Sequence, residues 1–550
     1  MGELFGTDGI RGLAVPSKVR DGSAISRLTD ERELSSGLLQ LVGEALGTWL
    51  RPSGDATSQI VIGWDSRPLN DELVAALTIG LHLSGCNVIW VGECATPSLH
   101  GCVLQTGSDA GCMVTASHNP VSDSGIKIFD CDGFKTFPDV ELELEKLIHQ
   151  LAGEERELED DDREVLAMPD FEVDGVFIHK IALDSRLKSL KERYLGDADM
   201  EGLIPDGGLL LDSSHGTAHH WLAEWLSEEL VMSIELSAYC HALNDGCGAG
   251  DISPTLRMTW EELTSVNHGH VLFDGLAERY DASNWAAGMI LAASLDGDGD
   301  RCLCIMVNDE NTGIKVVDGD SMLDMLVNAA NLNCDSLQGK VAASIESDLA
   351  LLNSMERLNA DLQLIETAVG DRWLASALKS EPDAPGNLLQ GEVEPFHIGG
   401  EDSGHLLLTT PHPNLPNHWA LVGDGIATLI ATLCAAGRTK NHNSFDVGWK
   451  SRQSISPSIR SRWDGKNVNA EAVVSLVKNE YPDVEWTRET IAGESDLLMM
   501  KGKVNGNICA VAIRNSGTQA KTNISIRTTG MAMEELMGSL LEMLTPLLSQ

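Results

Sequence analysis

Short apolar runs alternate with longer amphipathic stretches along the first third of the chain, and polar turn residues mark each change. Residues 59–64 read as an apolar strand, followed by Asp65-Ser66-Arg67-Pro68 and a helical stretch over 71–84. Residues 87–91 form the next predicted strand, 97–105 the next helix, and 111–114 a further strand. Such alternation predicts a parallel sheet with right-handed crossovers. The rhythm resumes at Leu209-Leu210-Leu211-Asp212 with a helix through Trp225, and a third unit carries residues 366–372 and 399–405. In the last unit, residues 508–513 and a strand ending near Arg527 flank a polar turn. A chain of 550 residues is too long for one core, so three or four domains are expected.

Each apolar run ends where chemistry can begin. The run 111–114 closes into Thr115-Ala116-Ser117-His118-Asn119-Pro120, which puts Ser117 on a loop at the carboxyl edge of a sheet, where open α/β folds bind ligands. A serine hydroxyl is a weak nucleophile until its proton is removed or its target polarised. His118 and Lys127 are the nearest helpers; the plainer alternative makes Ser117 a helix cap. Asp65 and Arg67 are either a local turn pair or part of the site. In Asp296-Gly297-Asp298-Gly299-Asp300-Arg301, three carboxylates at alternate positions, separated by glycine, let the backbone curl so that their oxygens converge on one hard cation. A structural calcium loop is the alternative there. His215, His219 and His220 invite a metal reading, but adjacent His219 and His220 should point apart on a helix, which favours a surface or positional role.

Two further loops suit polar ligands. In Gly400-Glu401-Asp402-Ser403-Gly404, Glu401 can accept from two neighbouring hydroxyls and Ser403 can give or take one hydrogen bond. In Arg514-Asn515-Ser516-Gly517-Thr518-Gln519, turn amides, two hydroxyls and a guanidinium make a phosphate cradle, with a plain hairpin turn as the alternative. The glycine-rich opening, Phe5 to Gly12, cannot hold a helix and brings Arg11 toward the cleft.

Composition narrows the class. A net charge of −44 excludes a nucleic-acid binder, because phosphate neutralisation needs clustered Lys and Arg. The same field repels phosphosugars, so a site for them must carry its own positive charge. Such acidity also fits a saline cytoplasm, and indifference of activity and melting to molar salt would refute that. Apolar content of 43% with no membrane-length apolar run predicts a soluble protein. The start, Met1-Gly2-Glu3-Leu4, lacks a secretory pattern and predicts the cytoplasm. The twelve cysteines are scattered apart from Cys302-Leu303-Cys304, where strand alternation points both thiols to one face; buried reduced thiols are expected. Residues 153–174, with a dense acidic run, read as a solvated linker.

Thr-Ala-Ser-His-Asn-Pro with a lysine ten positions after the serine resembles the phosphoserine loop of the α-D-phosphohexomutases. Within that family, Phe5-Gly6-Thr7-Asp8-Gly9-Ile10-Arg11-Gly12 is most similar to the phosphoglucosamine mutase branch. The resemblance implies three consecutive mixed-sheet α/β domains, over 1–180, 181–310 and 311–440, and a smaller α+β domain over 441–550, around a central cleft. It implies Ser117, Lys127, His118 and Arg11 as catalytic residues, and Arg301, Glu401, Ser403, Arg514, Ser516, Gly517 and Thr518 as substrate ligands. Asp296, Asp298 and Asp300, with the Ser117 phosphate, would hold one magnesium ion per site. Lys127 would be the general base, its pKa lowered by a cluster of cations. The partners implied are a hexose phosphate and its 1,6-bisphosphate, with no nucleic acid or membrane, in a monomer or homodimer. Glucosamine phosphate is the favoured substrate, with mannose or glucose phosphates as the alternative. A phosphosugar-binding regulator without turnover would lack Ser117, Lys127 or the aspartates, and none is missing. Asp402 stands where a larger neutral residue is expected, and Gln519 replaces a glutamate. The interval 248–295 and the segment 411–417 are longer than the family pattern.

Overall fold

The computed structural model describes the chain except residues 1–3, 52–56, 155–157, 282, 359, 380–387, 441–444, 517–519 and 550. It contains four sheets in chain order. The first runs edge to edge through Glu33–Ser35, Ile10–Val15, Asp123–Asp130, Ala110–Val114, Gln59–Trp64, Asn87–Glu93 and Phe171–Glu172. Its second half is parallel, as the alternation predicts. Asp123–Asp130 runs antiparallel to both its neighbours, so the sheet is mixed. The cause is local: no crossover helix follows Ala110–Val114, and the Ser117 loop returns directly as a hairpin.

The second sheet is built on Leu209–Asp212, Ile290–Leu295 and Cys302–Val307, and the third on Leu337–Ser344, Phe396–Gly400, Leu406–Pro411 and His418–Gly423. The fourth is an all-antiparallel set of five strands. Its helices Val468–Glu480 and Glu534–Leu548 share one core with its inner strands.

The second and third domains share a continuous apolar core that includes helices Gly175–Tyr194, Gly319–Leu332 and Gly425–Thr439. Cys302 and Cys304 face this core, while Leu303 and Ile305 face a separate cluster on the opposite side, as strand alternation requires. All twelve cysteines are free.

The expected limit at 180 falls inside a helix, and that at 310 falls between two paired strands of one sheet. Helix Gly175–Tyr194 runs through 180, and Gly313–Val317 pairs with Cys302–Val307, so the second sheet extends past 310. The acidic linker also differs from expectation: Asp160–Leu166 is a helix with no buried residue, and Phe171–Glu172 adds an edge strand.

Candidate active site

The strand Ala110–Val114 is buried throughout and stops where Thr115 and Ser117 can satisfy polar groups locally. The Ser117 backbone, in the left-handed region at φ 54°, donates its N–H to Thr115 Oγ1 at 2.8 Å. The Thr115 hydroxyl donates to Asp65 at 2.6 Å, and Arg67 Nε donates to the same carboxylate at 3.0 Å. Arg67 then reaches the carbonyls of Ser117, Asn119, Pro120 and Asp123. Asn244 holds the carbonyls of Ser117 and Asn119 from the other side at 2.8 and 2.9 Å. Asp65 and Arg67 are therefore braces of the serine loop, and Ser117 caps no helix, since the next element is the strand Asp123–Asp130.

Ser117 Oγ donates to Asp296 at 2.6 Å. Ligand oxygens of Asp296, Asp298 and Asp300 lie within 4.8 Å of one another, and all three residues are buried. Burial, then repulsion from Asp300 and Asp298, pushes the Asp296 carboxyl up to about 7. Lys127 Nζ lies across the other two carboxylates, 2.6 Å from Asp298 and 2.9 Å from Asp300. Burial alone would lower the Lys127 pKa; Asp298, Asp300 and Asp8 instead hold it well above the usual lysine range. The expected lowering by neighbouring cations is thus reversed, because the nearest charges are carboxylates. The donor set fits a hard cation: Asp298 Oδ1 and Asp300 Oδ1 are buried and accept no hydrogen bond from the described residues.

Arg11, His118 and Arg301 surround this centre. Arg11 donates to Asp8 at 2.6 Å and approaches the Ala116 carbonyl at 3.4 Å. Gly9 permits that course: at φ +78° a Cβ there would lie 2.0 Å from the Ile126 carbonyl oxygen. Arg301 Nε is buried without a hydrogen-bond partner, 3.7 Å from Asp296. The Arg301 charge, then burial and Arg11, pushes His118 down to about 3. His118 is neutral at physiological pH, so it can offer a hydrogen bond to phosphate but no charge.

A second set of residues escaped the sequence reading. Lys135 Nζ lies 2.9 Å from Asp8, 3.3 Å from Asp371 and 3.9 Å from Asp300, which ties the first three domains together. His405 lies 2.9 Å from Asp371 through Nε2 and 3.1 Å from the Asp300 carbonyl through Nδ1. Burial would lower the His405 pKa, but Asp300 and Asp371 raise it to about 10. Asp8, Asp371 and His405 lie within the segments 5–12, 366–372 and 399–405, and only their place beside other charges distinguishes them. Nothing local marks Lys135.

The third-domain loop is clipped to the aspartate loop by a backbone bond from Cys302 N to Gly404 O at 3.0 Å. Glu401 accepts from Gly370 N at 2.8 Å, and Ser403 Oγ is buried without a partner, free to meet a ligand hydroxyl. Asp402 accepts from Lys450 at 2.8 Å and Arg452 at 3.0 Å, so the acidic residue serves the contact with the fourth domain. Arg514 is 2.8 Å from Glu346 and 3.5 Å from Glu494. It lines a small cavity with Gly6, Thr7, Arg372 and Asn515, so the fourth domain faces the opening segment. Ser516 N donates to the Lys521 carbonyl at 2.8 Å, while Gly517 and Thr518 lie outside the described residues.

Of the longer segments, 248–295 reaches the serine loop, and 411–417 packs on the first domain. Asn244 and Gly250 precede and enter the interval 248–295, and a Cβ on Gly250 would meet His118 Cβ at 2.5 Å. Asn414 of the 411–417 segment donates to the Leu104 and Gln105 carbonyls, near the end of helix Thr96–Thr106. His219 and His220 precede helix Leu222–Glu229 rather than lying on it, and their ring centroids are 3.5 Å apart. They do not point apart as expected. Among the described residues only the three aspartates form a metal-ligating group.

Residues 2–155 match the family model for phosphoglucomutase/phosphomannomutase α/β/α domain I, and residues 318–446 match that for domain III. A phosphoglucosamine mutase of Corynebacterium efficiens is 31% identical over 490 residues, covering 87% of this chain and 90% of the relative. That of Roseobacter denitrificans is 29% identical over 445 residues, covering 79% and 78%. Among solved structures, a phosphoglucomutase/phosphomannomutase family protein of Burkholderia thailandensis superposes with a TM-score of 0.59 at 17% identity, covering 99% of this chain and 97% of its own. The open form of Paramecium parafusin, a phosphoglucomutase, gives 0.59 at 16% identity, covering 100% and 96%. The chain belongs to the α-D-phosphohexomutase family of isomerases, which act by phosphoryl transfer. No described helix is long and apolar enough to cross a membrane.

Proposed function

We propose that this phosphohexomutase interconverts glucosamine-6-phosphate and glucosamine-1-phosphate. The observation that carries the mechanism is the Ser117 hydroxyl, buried and 2.6 Å from Asp296, beside Lys127 and three converging carboxylates. Phosphorylated Ser117 passes its phosphoryl group to the free hydroxyl of the sugar monophosphate. The P–O bond to serine breaks as the P–O bond to sugar forms, leaving a bound 1,6-bisphosphate. The bisphosphate turns over, and its other phosphate returns to Ser117, which restores the phosphoenzyme.

Phosphoryl transfer asks chiefly for alignment and charge neutralisation. Arg11 and Arg301 supply fixed positive charge, and neutral His118 supplies a hydrogen bond. Lys127 is the group that takes the attacking hydroxyl's proton and returns it to the departing one. A magnesium ion on Asp296, Asp298 and Asp300 would neutralise phosphoryl charge and take up the carboxylates that otherwise hold the Lys127 ammonium. Glu401 and Ser403 grip ring hydroxyls, while Arg514 with Ser516, Gly517 and Thr518 holds the phosphate that does not react.

The opening segment Phe5–Gly12 and the phosphoglucosamine mutases among the relatives support the amino sugar. Rates on glucosamine-6-phosphate, mannose-6-phosphate and glucose-1-phosphate, measured side by side, test it. The first should give the highest kcat/KM, and a higher value on either other sugar would reassign the substrate. Intact mass should show one phosphate that is lost on incubation with excess sugar phosphate.

A further inference from the structure

The face of the fourth sheet opposite its helices carries Lys450, Arg452, Lys501, Arg514 and Arg527, and each pairs with a carboxylate of the third domain. Glu366 spans Arg527 through Oε1 and Lys501 through Oε2, and Arg452 also donates to Asp402 at 3.0 Å. Glu346, in the turn after strand Leu337–Ser344, presents one oxygen to each of two arginines: Oε1 to Arg514 at 2.8 Å and Oε2 to Arg452 at 3.5 Å. Two oxygens shared between two guanidinium groups is the arrangement a phosphate monoester makes with the same partners.

Beside this bridge lies a cavity of about 240 Å³ lined by Glu346, Arg452, Arg514, Lys521, Asn523 and Ser525, among others. Three of its lining residues are cationic and one is anionic, in a chain whose net charge is −44. Ser525 is buried, and its hydroxyl has no hydrogen-bond partner. A buried orphan hydroxyl costs free energy unless something meets it. Ser525 sits opposite Arg452 in the strand register, and Asn523 sits opposite Arg514, so both polar side chains share the cationic face.

We propose that this cavity extends the phosphate seat beyond the Arg514 turn, with Arg452 and Lys521 as additional phosphate ligands, and that the Glu346 carboxylate occupies the seat until a phosphate displaces it. The inference rests on the reading of the chain as acting on sugar phosphates, and adds to it a ligand set and a built-in competitor. In a strongly acidic protein the competitor has a clear use. It keeps two arginines aligned without phosphate, and it sets a threshold that weaker anions must overcome.

Inorganic phosphate is the probe, titrated calorimetrically into the dephosphorylated full-length protein at constant ionic strength, with chloride as the reference anion. Glu346→Gln should tighten phosphate binding about tenfold, because about one charge-assisted bond no longer has to be broken. Glu346→Asp, too short to bridge both arginines, should tighten it less. Arg452→Gln and Lys521→Gln should each weaken it several-fold. Melting curves establish that each variant folds. Unchanged or weaker phosphate binding in Glu346→Gln would overturn the competitor, and affinity indifferent to Arg452→Gln and Lys521→Gln would overturn the seat. Binding needs no turnover, so a wild-type protein that binds phosphate as described but isomerises no sugar would refute the functional reading alone.

Discussion

Arg67→Lys tests how much of the reactivity of Ser117 is made at a distance. Arg67 is buried and spends its donors on Asp65 and on four carbonyls, those of Ser117, Asn119, Pro120 and Asp123. Lysine keeps the charge opposite Asp65, but an ammonium is a point donor and cannot span carbonyls on both sides of the loop. At least two charge-assisted bonds are lost, each worth about 1.5–3 kcal/mol, so the total cost is about 3 kcal/mol before relaxation. If half falls on loop geometry in the transition state, turnover drops about tenfold, and the rest lowers the melting temperature. Asn244→Ala removes two neutral bonds to the same Ser117 and Asn119 carbonyls, and should cost less alone. In the double variant these carbonyls lose both partners, and a buried acceptor left unpaired costs more than one that loses a spare bond. The combined loss in kcat should therefore exceed the sum of the single losses by about 1 kcal/mol. Steady-state rates with melting curves on all four proteins complete the cycle. An additive cycle, or Arg67→Lys turning over at the wild-type rate, would refute the claim that these groups hold one loop jointly.

Lys127→Met should reduce turnover at least about a hundredfold with little change in KM. It also uncovers Asp298 and Asp300, so magnesium should raise the melting temperature of this variant more than that of the wild type; an equal shift would count against Lys127 and the cation sharing these carboxylates. Asp298→Asn should weaken that magnesium-dependent shift, and chelation should abolish wild-type turnover until magnesium is restored. Asp424 gives a pH test away from the reacting groups. Burial would raise its pKa, but His179, Arg186 and the first amides of helix Gly425–Thr439 lower it to about 2. A carboxylate lowered on folding stabilises the fold above its ordinary value near 3.8 and loses that contribution as pH falls through 2. Asp424→Asn should therefore cost about 2 kcal/mol at pH 7 and progressively less in acid unfolding between pH 4 and 2. A cost independent of pH would show that packing, not charge, is what the substitution removes.

The parts of this protein that were legible in its sequence are those whose chemistry is carried by neighbours in the chain. Apolar runs with polar ends marked the strands Gln59–Trp64 and Ala110–Val114 to within a residue. The convergence of Asp296, Asp298 and Asp300 could be read because glycine between them lets three alternate carboxylates curl together. Lys135 was illegible because a lone lysine has no pattern, and its significance arises only when three domains meet. The Lys127 surroundings were misread for a related reason. Arg11 and Arg301 were visible as cations, whereas the closeness of Asp8, Asp298 and Asp300 to its ammonium depends on how the second domain docks on the first. Asp402 shows the converse, since a residue inside a ligand motif serves an interface with the fourth domain.

The excess of 83 acidic over 39 basic residues raises the question of where an enzyme of anionic sugars keeps its cations. Several of its cations are held by carboxylates from another domain: Lys127 and Lys135 by Asp298, Asp300 and Asp371, and Arg514 and Arg527 by Glu346 and Glu366. Each such pair neutralises the cation until it is needed: on the reading proposed above, the cation becomes available when a phosphate displaces its carboxylate or a metal ion occupies that carboxylate. The pairs between the third and fourth domains are partly exposed, at Arg452, Lys501 and Glu346, so salt weakens them far more than the buried set around Ser117. Ionic strength therefore acts first on how the fourth domain is held and last on the reacting centre. That order follows from which of the two sets of ion pairs the fold has buried.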